Sequence, residues 1–162
     1  MRRMPAWSVV AGSCLATALV PFHGVAQTMD GVSVGIQAAY NFSDLNEPGL
    51  GGHALIGLPA GFGFYPAAQS YFVESGSLWR VSTSLRWMPR ATSLTPYVAA
   101  GAYWSRSSTG GVAITDMGIL GQVGAEARLR NLRPFAEVQF LKDGAVSAEM
   151  VAGLRFIVTT RR

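Results

Sequence analysis

The stretch GVSVGIQAAYNF, residues 31–42, decides the fold class because its character changes at every second residue. One set of side chains is apolar and comprises Val32, Val34, Ile36, Ala38, Tyr40 and Phe42. The intervening set is small or polar and comprises Ser33, Gly35, Gln37, Ala39 and Asn41. Neighbouring side chains of a β-strand point to opposite faces. The stretch therefore predicts a strand with one apolar face and one small or polar face.

The same alternation returns along the rest of the chain. It is strict in residues 78–87, 117–129 and 146–158, where apolar residues again occupy every second position. Residues 96–106 and 134–141 alternate less strictly but carry the aromatic and β-branched residues that strands favour. These five segments and the first one predict six antiparallel strands separated by turns.

Residues 53–74 are harder to divide, because Pro59 would remove a ladder hydrogen bond from any strand that contains it. We interpret the region as one strand over 53–65 and a short strand over 70–74, with a turn at 66–68. A bulge at Pro59 and a split into separate pieces are the alternatives. The favoured division brings the total to eight strands.

The composition agrees with an all-β chain. Of the 162 residues, 49% are apolar and 14% are charged, against roughly 25% charged in an average soluble domain. A disordered chain would need the opposite balance. No apolar stretch reaches the ~18 residues that would cross a bilayer as a helix. The 19 glycines and the many short apolar segments predict a single all-β domain.

The N-terminus has the pattern of a secretory signal peptide. Arg2 and Arg3 precede an apolar run over 7–20, and Pro21 ends it. Small residues at 24–26 predict cleavage after residue 26. We therefore predict a signal peptide over 1–26 and one mature domain over 27–162. An uncleaved anchor helix is the alternative, but the apolar run is short for it.

The predicted mature chain has little reactive chemistry. The single cysteine, Cys14, lies in the predicted signal peptide, and Ala11 stands where a lipidation site prefers leucine. Loss of Arg2 and Arg3 leaves 11 basic and 9 acidic residues, which are scattered rather than clustered. This distribution does not predict a nucleic-acid partner.

Alternation also fits a soluble sandwich or a lipocalin-like barrel, in which the apolar face points inward. Three features favour a membrane. The chain has one lysine, Lys142, where a soluble surface would carry many. The predicted signal peptide directs the chain to the periplasm. Aromatic residues near strand ends suit interfacial girdles, and we predict this role for Tyr40, Trp79, Trp87, Tyr97, Trp104 and Phe156.

A closed barrel is the β-structure that leaves no unpaired edge in lipid. We therefore predict an all-β, closed, antiparallel, up-and-down transmembrane β-barrel of eight strands. The longer connections 43–51 and 107–115 are predicted to face outside. The compact connections 89–95 and 130–133, together with both termini, are predicted to face the periplasm.

The polar faces of the predicted strands carry charges of both signs. They comprise Arg80, Arg86, Arg128, Arg155, Glu126, Glu137 and Glu149. Buried charges must pair or be hydrated, and the interior of an eight-stranded barrel is only just filled by side chains. We predict an ion-pair network that closes the lumen. A narrow polar path is the alternative interpretation.

Motifs for catalysis are missing from the sequence. His53 is the single histidine after residue 26, and no serine or acid lies beside it in a recognisable motif. We interpret it as a rim or loop residue rather than a catalytic one. The glycines of 49–52 are not followed by the lysine and hydroxyl residue of a phosphate loop. We predict no catalytic residue, no metal ligand and no cofactor.

Three short segments resemble a known family. They are TPYVAAGAY at 95–103, RPFAE at 133–137 and GLRF at 153–156. The chain is similar to the small eight-stranded outer-membrane β-barrel family of the OmpA transmembrane domain and OmpX. The resemblance implies a monomer in a Gram-negative outer membrane, reached through the periplasm, with membrane lipids and the barrel-insertion machinery as partners. Phe156 matches the terminal aromatic that this machinery recognises, although six residues follow it.

The functional expectation is correspondingly general. We expect a non-enzymatic outer-membrane barrel with a structural or surface-interaction role. A narrow, porin-like channel for small solutes is one alternative, and a lipid-modifying outer-membrane enzyme is another.

Overall fold

A computed structural model describes residues 31–42, 47–74, 76–89 and 93–159. The predicted signal peptide 1–26 and its cleavage site lie outside these ranges. Within them, no helix is both long and apolar enough to span a bilayer. The strands are β1 (Val32–Asn41), β2 (Pro48–Gly57), β3 (Phe62–Tyr71), β4 (Ser77–Trp87), β5 (Leu94–Thr109), β6 (Val112–Ala127), β7 (Leu132–Lys142) and β8 (Val146–Thr159).

The eight strands form one closed barrel in which each strand pairs with the next along the chain. Every pairing is antiparallel, and β8 returns to β1 to close the sheet. Ala38 of β1, for example, lies opposite Leu50 of β2 on one side and Ala152 of β8 on the other. The prediction of a closed, eight-stranded, antiparallel up-and-down barrel is confirmed.

The apolar face of each strand lies on the outside of the barrel. In β1, Ser33 and Gln37 face the lumen with 2% and 3% of their surface exposed, whereas Ile36 faces outward with 66% exposed. Large exposed apolar side chains recur on all eight strands. A soluble barrel would place these side chains inside. This arrangement is the one that a lipid-facing wall requires.

The prediction for residues 53–74 was wrong in where the chain turns. β2 ends at Gly57, and a 3₁₀ turn at Pro59–Gly61 leads directly into β3. Ala60 and Gly61 have positive φ angles of 61° and 78° there. Pro66 lies inside β3. The β2–β3 register is the same before and after it, at His53↔Ala67 and Ile56↔Phe64, but the pairs between these two are missing. The proline, which has no N–H to donate, interrupts the ladder on the β2 side, while β3 stays paired with β4 through Pro66↔Thr83.

The predicted connection 107–115 is also not a loop. β5 continues to Thr109 and β6 begins at Val112, so the two strands form a hairpin with a two-residue turn. Gly110 and Gly111 have positive φ angles of 59° and 84°, which a tight hairpin turn requires at both positions. The predicted connection 43–51 is shortened as well, because β2 begins at Pro48. The C-terminal ends of β1 and β5 lie at one end of the barrel, and the C-terminal ends of β4 and β6 lie at the other.

Candidate functional site

Three buried ion pairs cross the lumen. Arg80 contacts Glu149 at 2.7 Å, Arg86 contacts Glu137 at 2.7 Å, and Arg155 contacts Glu126. Each pair joins strands that are not neighbours in the sheet. The pairs therefore connect separate parts of the wall through the interior of the barrel.

The first pair lies toward the end of the barrel that carries the β5–β6 tip. Glu149 is fully buried, and its Oε2 accepts hydrogen bonds from Arg80 at 2.7 Å and from the Tyr71 hydroxyl at 2.7 Å. Its Oε1 accepts a longer bond of 3.4 Å from Gln69. Arg80 also donates to the Tyr71 hydroxyl oxygen at 2.6 Å. Both carboxylate oxygens are thus satisfied, which a buried charge needs.

The second pair is the most heavily bonded. Glu137 Oε2 accepts from Arg86 at 2.7 Å and from the Tyr97 hydroxyl at 2.6 Å. Its Oε1 accepts from Gln122 at 3.2 Å and Gln139 at 2.7 Å. Four donors from four strands therefore converge on one carboxylate.

Aromatic rings complete the surroundings of Arg86. Its guanidinium carbon lies 3.7 Å from the ring centroid of Tyr65 and 4.1 Å from that of Tyr97. Such contacts stabilise a cation more strongly when water is excluded, and Arg86 is only 1% exposed. The middle of the lumen is consequently filled by side chains that hold one another in place.

The third pair, Arg155 with Glu126, lies toward the opposite end. His53 of β2 also faces the lumen and is 6% exposed. Its ring lies 5.1 Å from the rings of both Tyr65 and Phe135. The interpretation of His53 as a rim or loop residue was wrong, because β2 starts five residues before it and places it well inside the barrel.

Two of the predicted positions need correction. Arg128 is exposed, because β6 ends at Ala127 before the alternation reaches it. Tyr97 is not an interfacial aromatic but a lumen residue with 2% of its surface exposed. Its neighbours Pro96 and Val98 face outward. This apolar flanking pair is the sequence signal that places Tyr97 on the lumen face.

One buried cation was not predicted. Arg133 of β7 faces the lumen with 7% of its surface exposed. Arg133 lies on the same strand face as Phe135 and Glu137. The alternation of residues 134–141, extended one residue toward the N-terminus, therefore predicts a lumen position for Arg133. The other six predicted lumen charges all lie in the three ion pairs.

The remaining predicted aromatics lie on the outer wall near the strand ends. Tyr40, Trp79 and Trp104 are toward the end with the β5–β6 tip, and Trp87 and Phe156 are toward the other end. Trp79 and Trp104 contact edge to face, with ring centroids 4.5 Å apart. Two such aromatic levels are typical of the two surfaces of a bilayer.

In the β5–β6 hairpin, β6 extends beyond its neighbour β7, whereas β5 stays paired with β4 as far as Ser77↔Ser108. The last pair between β6 and β7 is Ile119↔Lys142, so residues 112–118 have no strand on that side within the described part of the chain. The segment is roughly 20 Å long at the usual rise of a strand. Val112, Ile114 and Met117 in it are 66%, 57% and 73% exposed. One backbone edge of β6 is therefore open beyond the rim, and we call residues 112–118 the free edge.

Comparisons with known proteins give structural likeness only. No family model matches the chain, and no curated protein sequence matches it significantly. The N-terminal β-barrel domain of Pseudomonas aeruginosa OprF is 14% identical, with a TM-score of 0.70 over 80% of this chain and 98% of that one. Neisserial surface protein A is 20% identical, with a TM-score of 0.65 over 83% and 99%.

A third solved structure is similar to a lesser degree. Ail, the attachment invasion locus protein of Yersinia pestis, is 18% identical, with a TM-score of 0.55 over 79% of this chain and 100% of that one. Each neighbour is matched over nearly its whole length. The resemblance inferred from the sequence is thus confirmed at the level of fold: the chain has the architecture of the small eight-stranded outer-membrane β-barrels.

Proposed function

We propose that this chain is a non-enzymatic outer-membrane barrel that binds other molecules at the cell surface through its β5–β6 hairpin. The observation that carries the proposal is the free edge, residues 112–118 of β6. Unpaired N–H and C=O groups of an exposed strand are a template for another extended segment. The partner in this proposal is a polypeptide in extended conformation that adds a strand to β6.

The composition of the free edge supports strand addition. Val112, Ile114 and Thr115 are β-branched and favour strand pairing. Proteins usually protect an open edge with lysine, proline or a bulge, and the free edge contains neither lysine nor proline. Exposed apolar side chains at Val112 and Ile114 give a partner strand something to pack against.

The filled lumen supports a binding role over transport. The ion pairs of Arg80, Arg86 and Arg155 cross the interior, and the side chains between them are buried. An eight-stranded barrel has little space beyond that needed by its side chains. In this proposal, a narrow channel for small solutes is the alternative that conductance would reveal.

The setting is part of the same proposal. The signal peptide 1–26 directs export, and the barrel-insertion machinery places the chain in the outer membrane as a monomer. Outer-membrane lipids cover the wall between the aromatic levels, and the hairpin projects from the outer surface. No cofactor or nucleic acid takes part.

The proposal is tested with a probe that cannot fold and therefore exposes extended segments. The probe is a reduced and carboxymethylated protein labelled with a fluorophore. We expect liposomes that contain the refolded barrel to retain this probe. Ile114→Lys puts a charge on the free edge and should abolish retention. Val146→Lys is the matched control, because Val146 is 67% exposed at the start of β8, away from the free edge.

Heat-modifiable gel migration of each variant verifies that the barrel is folded. Retention by the Val146→Lys barrel and loss in the Ile114→Lys barrel would support the free edge as the binding element. Equal retention by both variants, or no retention by the wild-type barrel, would contradict the proposal.

A further inference from the structure

A group of buried nitrogen atoms in the lumen lacks hydrogen-bond partners. Both ring nitrogens of His53 are buried without a partner, as are Nε and Nη1 of Arg155 and Nε2 of Gln37. The three residues are 6%, 4% and 3% exposed. Native proteins rarely leave a buried N–H unsatisfied without a water or ion beside it. Five such atoms lie on three adjacent strands, which indicates that a small molecule or ion binds among them.

The strand register brings these groups to one level. Gly35 of β1 lies directly opposite His53 of β2 and directly opposite Arg155 of β8. A Cβ atom at Gly35 would lie 2.5 Å from His53 Nε2, so the imidazole occupies the space that a side chain there would fill. His53 thus reaches over β1 toward Arg155.

Gln37 borders the same space. Tyr65 donates a hydrogen bond of 2.8 Å from its hydroxyl to Gln37 Oε1, and the same ring lies 5.1 Å from the ring of His53. The amide oxygen of Gln37 is therefore engaged, while its NH₂ group is free to donate. The site consists of His53, Arg155 and Gln37 around the backbone of Gly35.

The chemistry of the site calls for an acceptor. The free nitrogen atoms of Arg155 and Gln37 can only donate, and a neutral histidine offers one N–H and one acceptor nitrogen, so four of the five atoms are donors. Among the described residues, Glu126 is the carboxylate bonded to Arg155; it accepts from Nη2, and the other two nitrogens have no partner there. A second cation is also near, because Arg86 packs on the same Tyr65 ring that His53 contacts.

We propose that His53, Arg155 and Gln37 form a binding site for one small monovalent anion of halide size, chloride being the example tested. The tightly filled interior of such a barrel restricts the occupant to roughly the size of a water molecule. An anion accepts hydrogen bonds from several donors at once, whereas a water molecule accepts fewer and needs acceptors for its own two protons, which this donor-rich site supplies poorly. The site does not involve the hairpin, so a negative result for the anion would leave the proposed surface binding unaffected.

The test uses the refolded full barrel in a nonionic detergent. We expect the ³⁵Cl resonance of dilute sodium chloride to be broadened by the wild-type barrel and the broadening to be lost in Gln37→Met, which keeps the side-chain volume, and in His53→Leu. Arg106→Gln is the control, because it removes an exposed charge of β5 outside the lumen. Its broadening should match that of the wild-type barrel, and gel migration should verify that every variant is folded.

Crystals grown in sodium bromide give a second measurement that needs no variant. An anomalous peak within hydrogen-bond distance of His53 and Arg155 is expected. Broadening that is equal in all four proteins would identify adventitious surface binding and overturn the proposal. Crystals that show bromide only at the surface, or a water molecule at His53, would also overturn it.

Discussion

Arg86 and Glu137 form an ion pair of 2.7 Å between β4 and β7, with side-chain exposures of 1% and 0%. The two strands are separated by β5 and β6, so the pair connects distant parts of the wall through the lumen. Tyr97 donates to the same carboxylate oxygen as Arg86 and packs its ring against the guanidinium. Water is excluded from a pair held in this way, so each charge depends on its partner.

Removing one partner should therefore be costly. We expect Glu137→Gln to lower the free energy of unfolding by about 3–5 kcal/mol, because it leaves the Arg86 guanidinium buried without a counter-charge. Urea unfolding of the refolded barrel in lipid measures the change. The control is Glu74→Gln, which alters an exposed carboxylate at the rim and should change stability by less than ~0.5 kcal/mol.

The double variant separates the charge from the packing. Arg86→Met combined with Glu137→Leu removes both charges and retains apolar volume. Its loss of stability should be smaller than that of Glu137→Gln alone, since no unpaired charge remains. A larger loss in the double variant would show that the hydrogen bonds of the cluster, not its charge balance, dominate.

The outer wall gives a prediction about the membrane. Val123 and Val112 are both exposed valines of β6, at 55% and 66%, but Val123 lies on the wall whereas Val112 lies beyond the rim. Val123→Arg should destabilise the barrel by ~2–4 kcal/mol if the residue is near the bilayer midplane. Val112→Arg should cost less than ~0.5 kcal/mol. Equal effects in unfolding from lipid vesicles would indicate that Val123 does not contact lipid.

The orientation of the barrel can be tested by cysteine labelling, since the chain has no cysteine after residue 26. Ala113 lies at the hairpin and Asn131 in the turn between β6 and β7, and both are exposed. On intact cells, Ala113→Cys should react with an impermeant maleimide and Asn131→Cys should not. The reverse pattern would place the hairpin in the periplasm and remove the basis for surface binding.

The strand faces could be predicted from the sequence because alternation is local. In residues 31–42 each side chain faces the side that its position implies. The ends of strands could not be predicted in the same way. Arg128 and Arg133 both continue an alternating run, but β6 ends at Ala127 and β7 already includes Arg133. Pairing with the neighbouring strand decides these ends, and that information is not local.

The position of the β2–β3 turn shows the same limit. Pro59 and Pro66 are both candidate turn residues in the sequence, and only Pro59 lies in a turn. Pro66 lies within β3 because that strand keeps its pairing with β4 there and loses pairs only on the β2 side. His53 was misplaced for the same reason: its place in the lumen follows from where β2 begins. Contacts between distant residues, rather than propensity, determine these features.

The last prediction concerns conduction. The ion pairs and the aromatic side chains around Arg86 fill the cross-section of the lumen, and both signs of charge are present. A selective pore tends to present one sign of charge to a water-filled path. The wild-type barrel should therefore show little steady conductance in a planar bilayer.

Arg86→Ala should raise leakage, because it empties the middle of the lumen and leaves Glu137 to recruit water. Arg106→Ala, on the outer wall, should have no such effect. Stable, ion-selective single-channel steps from the wild-type barrel would contradict the closed lumen and favour a channel for small solutes.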